Sequence, residues 1–361
     1  MHPSFTRWLS VGLVAALLPA CAYWAPADGA SREAATAQAR GGVSQAYANP
    51  LIDEDYPDPT IIRAADGYYY AYATQGPYKG RFDNVPVSRS RDLTRWERLA
   101  DAMPEKPRWA SETQNIWAPH VVERGGKYLM YFSGEPNERQ GLALGVAIAD
   151  SPAGPFKAVA HPLNVGPGFE NIDPFFFEDP KSGKAYLYWG SGFKPIRVQE
   201  LTKDGLAFAP GSRPKDVLPP SKRPYENLVE GAWVVKRDGW YYLFYSGDNC
   251  CEKTPFYSVM VARSRHPEGP FEKLADATGA ADSTIVRANE AWQAPGHNSI
   301  ITDAKGQDWI LYHAMDARKP RNPDGSVRRP MLMDRLVYRD GWPDLEAEGP
   351  TSGPRTGPAL R

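Results

Sequence analysis

The chain has 361 residues, and its 42 Lys and Arg against 43 Asp and Glu leave a formal net charge of −1. That balance excludes the basic footprint by which a protein holds nucleic acid. The length suffices for one large β domain with a substantial core, and the 12% aromatic share suits both packed β blades and a sugar-binding surface.

Residues 1–22 carry Arg7, an apolar run Trp8–Ala20 and then small residues, which is the order of a secretion signal. The run is short for a membrane span. Leu18-Pro19-Ala20-Cys21 reads as a lipobox that would lipidate Cys21, and Ala20-Cys21-Ala22 reads as an ordinary cleavage site. Either way the chain is expected to be exported: periplasmic, secreted or lipid-anchored at the envelope. The membrane is met only through a lipid on Cys21. Residues 23–48, rich in Ala, Gly and Ser, read as a disordered spacer.

From residue 49 a unit recurs. Asp58-Pro59-Thr60-Ile61-Ile62 leads through Asp66-Gly67 into the run Tyr68–Ala73. Trp117-Ala118-Pro119-His120 leads through Gly125-Gly126 into Lys127–Gly134. Asp173-Pro174-Phe175 leads through Ser182-Gly183 into Ala185–Gly190. Glu230-Gly231-Ala232-Trp233 leads through Asp238-Gly239 into Trp240–Tyr245, and Gly296-His297-Asn298-Ser299 leads through Lys305-Gly306 into Asp308–Ala314. The five starts lie roughly 55 to 67 residues apart. Two β-type runs joined by a Gly turn form a hairpin, and later strands repeat as well, with Val87–Ser90, Val146–Ala149 and Val261–Ser264 in matching places. Repeats of several short strands with aromatic and Gly marks predict an all-β fold, a five-bladed β-propeller forming a single domain over residues 49–345. Residues 346–361, rich in Gly and Pro, read as a flexible tail.

In a propeller, the residue opening strand one and the loop following strand two lie on one face. Asp58, Trp117, Asp173, Glu230 and His297 are therefore expected around one end of the channel. Five loops starting near Thr74, Ser133, Ser191, Ser246 and His313 should surround them. Three carboxylates from three repeats then meet in one pocket. The loop carrying Asn249, Cys250 and Cys251 belongs to the same face and is expected to contact substrate, as is Trp117. The adjacent cysteines are either two thiols or a vicinal disulfide forming part of a subsite wall.

These motifs resemble those of glycoside hydrolase family 43, the arabinanase and β-xylosidase family. The resemblance runs from about Asn49 to Pro343 through Tyr56-Pro57-Asp58-Pro59, Trp117-Ala118-Pro119, Ile172-Asp173-Pro174, Gly296-His297-Asn298-Ser299 and Asp340-Gly341-Trp342-Pro343. The family's Glu-Gly-Pro stands here as Glu230-Gly231-Ala232, a departure beside the acid. The resemblance implies an inverting glycosidase with Asp58 as general base, Glu230 as general acid, and Asp173 raising and orienting the acid. It also implies a histidine, His297, that contacts a calcium ion in the central channel, and no organic cofactor. The expected substrates are α-L-arabinofuranosidic linkages of arabinan or arabinoxylan, as polysaccharide or oligosaccharide, with β-D-xylosidase as the alternative. A non-catalytic sugar-binding propeller would be expected to have lost an acid, and all three are present. The protein is expected to act as a monomer. The loop Ala314–Arg329 is expected to decide between exo and endo action.

Overall fold

The structure is a computed structural model that describes residues 44–252 and 254–360. The readings for the signal segment and Cys21 lie outside these residues. Five antiparallel sheets follow one another along the chain. Blade 1 comprises Thr60–Arg63, Tyr69–Tyr72, Val87–Ser90 and Glu97–Arg98; blade 2 is built on Trp117–Arg124, Lys127–Gly134 and Ala143–Ala149. Blade 3 comprises Phe175–Glu178, Ala185–Trp189, Ile196–Glu200 and Lys215–Leu218. Blade 4 is built on Glu230–Arg237, Trp240–Asn249 and Phe256–Ser264, and blade 5 comprises Trp292–Thr302, Asp308–Asp316, Met331–Arg339 and Trp342–Leu345. Their sequence order is their order in the sheet.

The turn chemistry explains the tight registers. In blade 4, Arg237 faces Trp240 across Asp238 and Gly239, whose φ values are 49° and 78°. In blade 2, Arg124 faces Lys127 across Gly125 and Gly126, at 59° and 75°. Two central residues at positive φ make the type I′ turn, whose twist matches that of paired strands.

Each interface between neighbouring blades is its own apolar core. Tyr70, Tyr72, Val121, Met130 and Phe132 fill the gap between blades 1 and 2. Tyr131, Phe176 and Trp189 fill the next. Tyr188, Val234, Leu243 and Tyr245 join blades 3 and 4, and Phe244, Ile310, Tyr312 and Trp342 join blades 4 and 5. Ile61, Ala71, Leu311 and Met333 join blade 5 back to blade 1. Burying such side chains contributes about 1.5–3 kcal/mol each, so the ring is held by five comparable seams.

The last seam is reinforced by both ends of the described region. Ala46–Tyr47 pairs antiparallel with Arg355–Thr356. The Asn49 amide donates to the carbonyls of Met333 and Thr351, and its Oδ1 accepts the Met333 N–H at 2.9 Å. Thr351 Oγ1 donates to the buried Asp334 at 2.6 Å. Two expectations are corrected here. The spacer does not extend to residue 48, and residues 351–359 are not a loose tail, since Thr351 and Ala359 are buried. The Gly and Pro content of this stretch limits it to the two-residue strand Arg355–Thr356, and the rest finds hydrogen bonds with distant groups, as the Ala359 N–H does with Asp303.

Candidate active site

Five backbone positions build the floor of the site. Asp58, Ala118, Asp173, Gly231 and His297 have φ values of 55°, 44°, 56°, 62° and 49°. Asp58 and Asp173 lie just ahead of their blade's innermost strand, Ala118 and Gly231 are its second residue, and His297 lies in the middle of Trp292–Thr302. Positive φ is uncommon outside glycine, and Asp and His are among the residues that tolerate it best. The shared conformation turns these backbones inward at the mouth of the channel. Equivalence by register therefore differs by one residue from the sequence expectation. Trp117, Glu230 and Gly296 form one set, facing Ser133, Ser246 and His313 on the second strand. Glu230 thus precedes the position that Asp58, Asp173 and His297 occupy, and Gly231 takes that position in blade 4. A Cβ on Gly231 would make only an ordinary contact with the His297 ring, at 3.4 Å, so it is the positive φ rather than space that favours glycine here.

Side chains ending the second strands cap these turned backbones. The N–H of Asp58 donates to His313 Nδ1 at 3.1 Å, that of Ala118 to Thr74 Oγ1 at 2.8 Å, that of Asp173 to Ser133 Oγ at 3.0 Å, and that of His297 to Ser246 Oγ at 2.8 Å. Blade 4 breaks the pattern. The Gly231 N–H donates to Asp173 Oδ2 at 3.1 Å, and Ser191, the matching hydroxyl, is left beside Glu230 instead. One exception to a fivefold device ties two carboxylates together.

The three acids sit in unlike surroundings. Thr74 Oγ1 donates to Asp58 Oδ2 at 2.6 Å, and Arg329 Nη1 lies 3.5 Å from Asp58 Oδ1. His297 and His313 each place Nδ1 3.3 Å from the same oxygen. Burial opposes ionisation of Asp58, but the Arg329 guanidinium outweighs it and holds the carboxyl below the usual range, while burial keeps His297 and His313 below the ordinary imidazole range and so neutral near pH 7. Burial pushes Glu230 the other way, up to about 7, with the Asp58 charge adding to the rise and the Tyr257 hydroxyl resisting it from 2.7 Å. Asp173 is raised well above an ordinary carboxyl by burial and by the charges of Glu230 and Asp58. One carboxylate kept ionised near another kept protonated is the division that acid–base chemistry needs.

A cavity of about 830 Å³ opens over these groups. Asp58, Asp173, Glu230, His297, Trp117, Asn249, Cys250 and Cys251 all line it. Cys250 and Cys251 form a vicinal disulfide that makes up part of the wall. The sequence reading missed Arg329 and Tyr257. Arg329 stands in the loop before the third strand of blade 5, and Tyr257 lies on the third strand of blade 4. Neither position belongs to the repeated opening motif. Phe169 and Phe193, an edge-to-face pair 5.9 Å apart on the blade 3 side, were missed too.

Beneath the carboxylates is a second cavity of about 20 Å³, lined by Asp58, Asp173, His120, His297 and Asn298, which is room for one water-sized occupant. Both polar atoms of the Asn298 amide and His120 Nε2 are buried without partners. Among the described residues, no group of three or more His, Cys, Asp or Glu side chains is set to hold a metal ion. His297 Nδ1 faces Asp58 and Asp173. This donor set does not make a protein cage for calcium, which prefers six to eight oxygens.

The profile of Glycosyl hydrolases family 43 matches residues 47–343. The chain is 30% identical over 338 residues to a probable arabinan endo-1,5-alpha-L-arabinosidase D of Emericella nidulans, covering 84% of each. It is 26% identical to a xylan 1,3-beta-xylosidase of a Vibrio species, over 82% of this chain but 56% of that protein. Among solved structures, a thermostable family-43 glycoside hydrolase superposes with a TM-score of 0.71 at 28% identity, covering 87% of this chain and 100% of that one.

Proposed function

The chain belongs to glycosyl hydrolase family 43, and from that premise we propose that it is an exported, inverting hydrolase of α-L-arabinofuranosidic linkages in arabinan or arabinoxylan-type chains. The observation that carries this reading is the opposite ionisation of two buried carboxyls lining one cleft. Asp58 is stabilised as a carboxylate by Arg329 and the Thr74 hydroxyl, and Glu230 retains its proton to about pH 7.

Inversion needs a base on a water and an acid on the leaving oxygen, on opposite sides of the sugar ring. Asp58 takes the proton from the water as it attacks the anomeric carbon. Its anchors, Thr74 Oγ1 and Arg329, hold it in place while it changes charge. Glu230 gives its proton to the departing oxygen. Tyr257 fixes the orientation of the Glu230 carboxyl and then stabilises the carboxylate left behind. Asp173 is a positioning residue. Its Oδ2 accepts the Gly231 N–H and so holds the backbone that carries Glu230, and the two buried carboxyls oppose each other's ionisation. Residues of this chain thus supply every proton step. A calcium ion in the channel belongs to this reading only as a hydrated ion touching His297, and no step runs through it.

Arabinan is favoured over xylan as the substrate class because the arabinosidase relative is matched over most of its length, whereas the xylosidase is matched over little more than half. The test is a side-by-side screen of pNP-α-L-arabinofuranoside, pNP-β-D-xyloside and linear arabinan. Arabinoside turnover well above xyloside turnover is expected. The reverse order moves the substrate class to xylosides.

A further inference from the structure

The cleft does not end at the disulfide. Arg329 Nη1 donates to Cys251 Sγ at 3.3 Å, joining the blade 5 loop to the blade 4 loop. On the far side of this strut lies a separate depression of about 430 Å³. Cys251 and Arg329 line both spaces, so the two are neighbours sharing one wall. The far wall consists of Gln75, Gly76, Pro77 and Phe82 from blade 1. The loop Ala314–Arg329 contributes Arg321, Asp324 and Val327. The loop therefore borders an open second arm on this face.

The two arms lie in line. In a ring of five blades, blade 3 stands opposite the junction of blades 5 and 1. Phe169 and Phe193 occupy the blade 3 end of the cleft, the carboxylates the middle, and Phe82 the junction end. Phe82 and Phe193 are 50% and 54% exposed, and with Val165 and Phe256 they are the large apolar side chains most open to solvent among the described residues. A single exposed apolar residue means little. Here, however, rings stand at both ends of one line through the catalytic carboxyls.

Phe82 is also held ready. It sits on a small hairpin in which Gly76–Tyr78 pairs with Arg81–Asp83. Asp83 is buried and bonded by Arg81 Nε at 2.7 Å and by Arg98 Nη2 at 2.8 Å, and the Arg98 guanidinium covers the Tyr78 ring at 4.4 Å. A hairpin fixed before binding loses little backbone entropy when a ligand covers the ring it carries. The depression pairs this ring with carboxylate, guanidinium and amide groups, the combination that meets a sugar's C–H face and its hydroxyls. Its size lies within the usual range for a small-ligand site.

We infer that the depression bordered by Phe82, Asp324 and the Cys251–Arg329 strut is a further subsite of the same cleft. It seats sugar residues of a chain whose cleaved residue lies over Asp58 and Glu230. The occupant is the substrate polymer itself, since the two spaces open on one face and share the Cys251–Arg329 wall. This rests on the glycosidase reading above, but not on which pentose is cleaved.

The test is chain-length dependence. Wild type, Phe82→Ala and Phe82→Tyr are compared on linear α-1,5-arabino-oligosaccharides from the disaccharide to the octasaccharide. If wild type prefers xylosides, the equivalent xylo-oligosaccharides are used. For Phe82→Ala, the ratio of kcat/KM on the longest chain to that on the disaccharide should fall roughly five- to tenfold, as expected when half of a phenyl ring loses its contact. Phe82→Tyr should restore the ratio. An unchanged ratio in Phe82→Ala, or an equal loss at every length, overturns the subsite whichever sugar proves to be the substrate. Failure on arabinosides together with a length-dependent loss on xylosides rejects the substrate class and supports the subsite.

Discussion

Removing the Tyr257 hydroxyl should move one limb of the pH–rate profile in a known direction. Tyr257 is buried, stacks nearly parallel to His313 at 5.8 Å, and donates to Glu230 Oε1 at 2.7 Å. Tyr257→Phe keeps the ring and its stacking and deletes one donor. That donor stabilises the ionised form of Glu230, so its loss raises the Glu230 pKa further above its present value near 7. A hydrogen bond to a charged group is worth about 1.5–3 kcal/mol, and one pKa unit corresponds to about 1.4 kcal/mol. The rise should therefore be roughly one to two units. Glu230 works protonated, so activity falls as pH climbs through its pKa. A higher pKa moves the alkaline limb of kcat/KM to higher pH by that amount. The assay is kcat/KM against pH on an arabino-oligosaccharide. With a dinitrophenyl glycoside, whose leaving group departs without a proton, this limb should fade in wild type and variant alike. An unmoved limb, or one displaced to lower pH, refutes the assignment of Glu230 as the acid held by Tyr257.

Three further outcomes follow from the same site. Asp173→Asn replaces a carboxyl that burial and its charged neighbours hold protonated with an amide whose oxygen can still accept the Gly231 N–H, so the alkaline limb set by Glu230 should stay in place, and a clear displacement to lower pH would show that Asp173 carries charge while Glu230 titrates. Glu230→Ala should lose about 10²–10⁴-fold on natural oligosaccharides and far less on a dinitrophenyl glycoside, whereas Asp58→Ala should collapse both, because both need an activated water; equal losses for Glu230→Ala on the two substrates refute its role as proton donor. Exhaustive chelation should lower the melting temperature if a hydrated cation touches His297, with calcium restoring it, and an unchanged melting temperature with no metal by elemental analysis leaves the small cavity to water.

The repeated opening motifs made the blades and the three acids legible in the sequence. Hairpins advertise themselves through turn glycines and aromatic runs, and a fivefold repeat multiplies a weak local signal. Even the capping residues were marked, since Thr74, Ser133, Ser246 and His313 end the second strands in sequence. Their role was not marked, because a hydroxyl bonding the next blade's N–H is a contact between repeats. Glu230 was found by its motif but placed one residue out of register, because the bulge between Glu230 and Trp233 leaves no trace in composition. Arg329 and Tyr257 belong to a loop and to a third strand, where one polar residue in an apolar setting looks like many others. The chain ends read as loose because the bonds that hold them, from Asn49 to Met333 and from Thr351 to Asp334, join residues far apart in sequence or outside any strand period.

The central claim is that Asp58 and Glu230 act on opposite sides of one sugar ring, with a water between base and anomeric carbon. Proton NMR of the first product, recorded before mutarotation, tests it most directly. An α-L-arabinofuranoside should release β-L-arabinofuranose first, the anomer of inverted configuration. Initial release of the α anomer would show a covalent intermediate and a nucleophilic carboxylate, and would contradict the account.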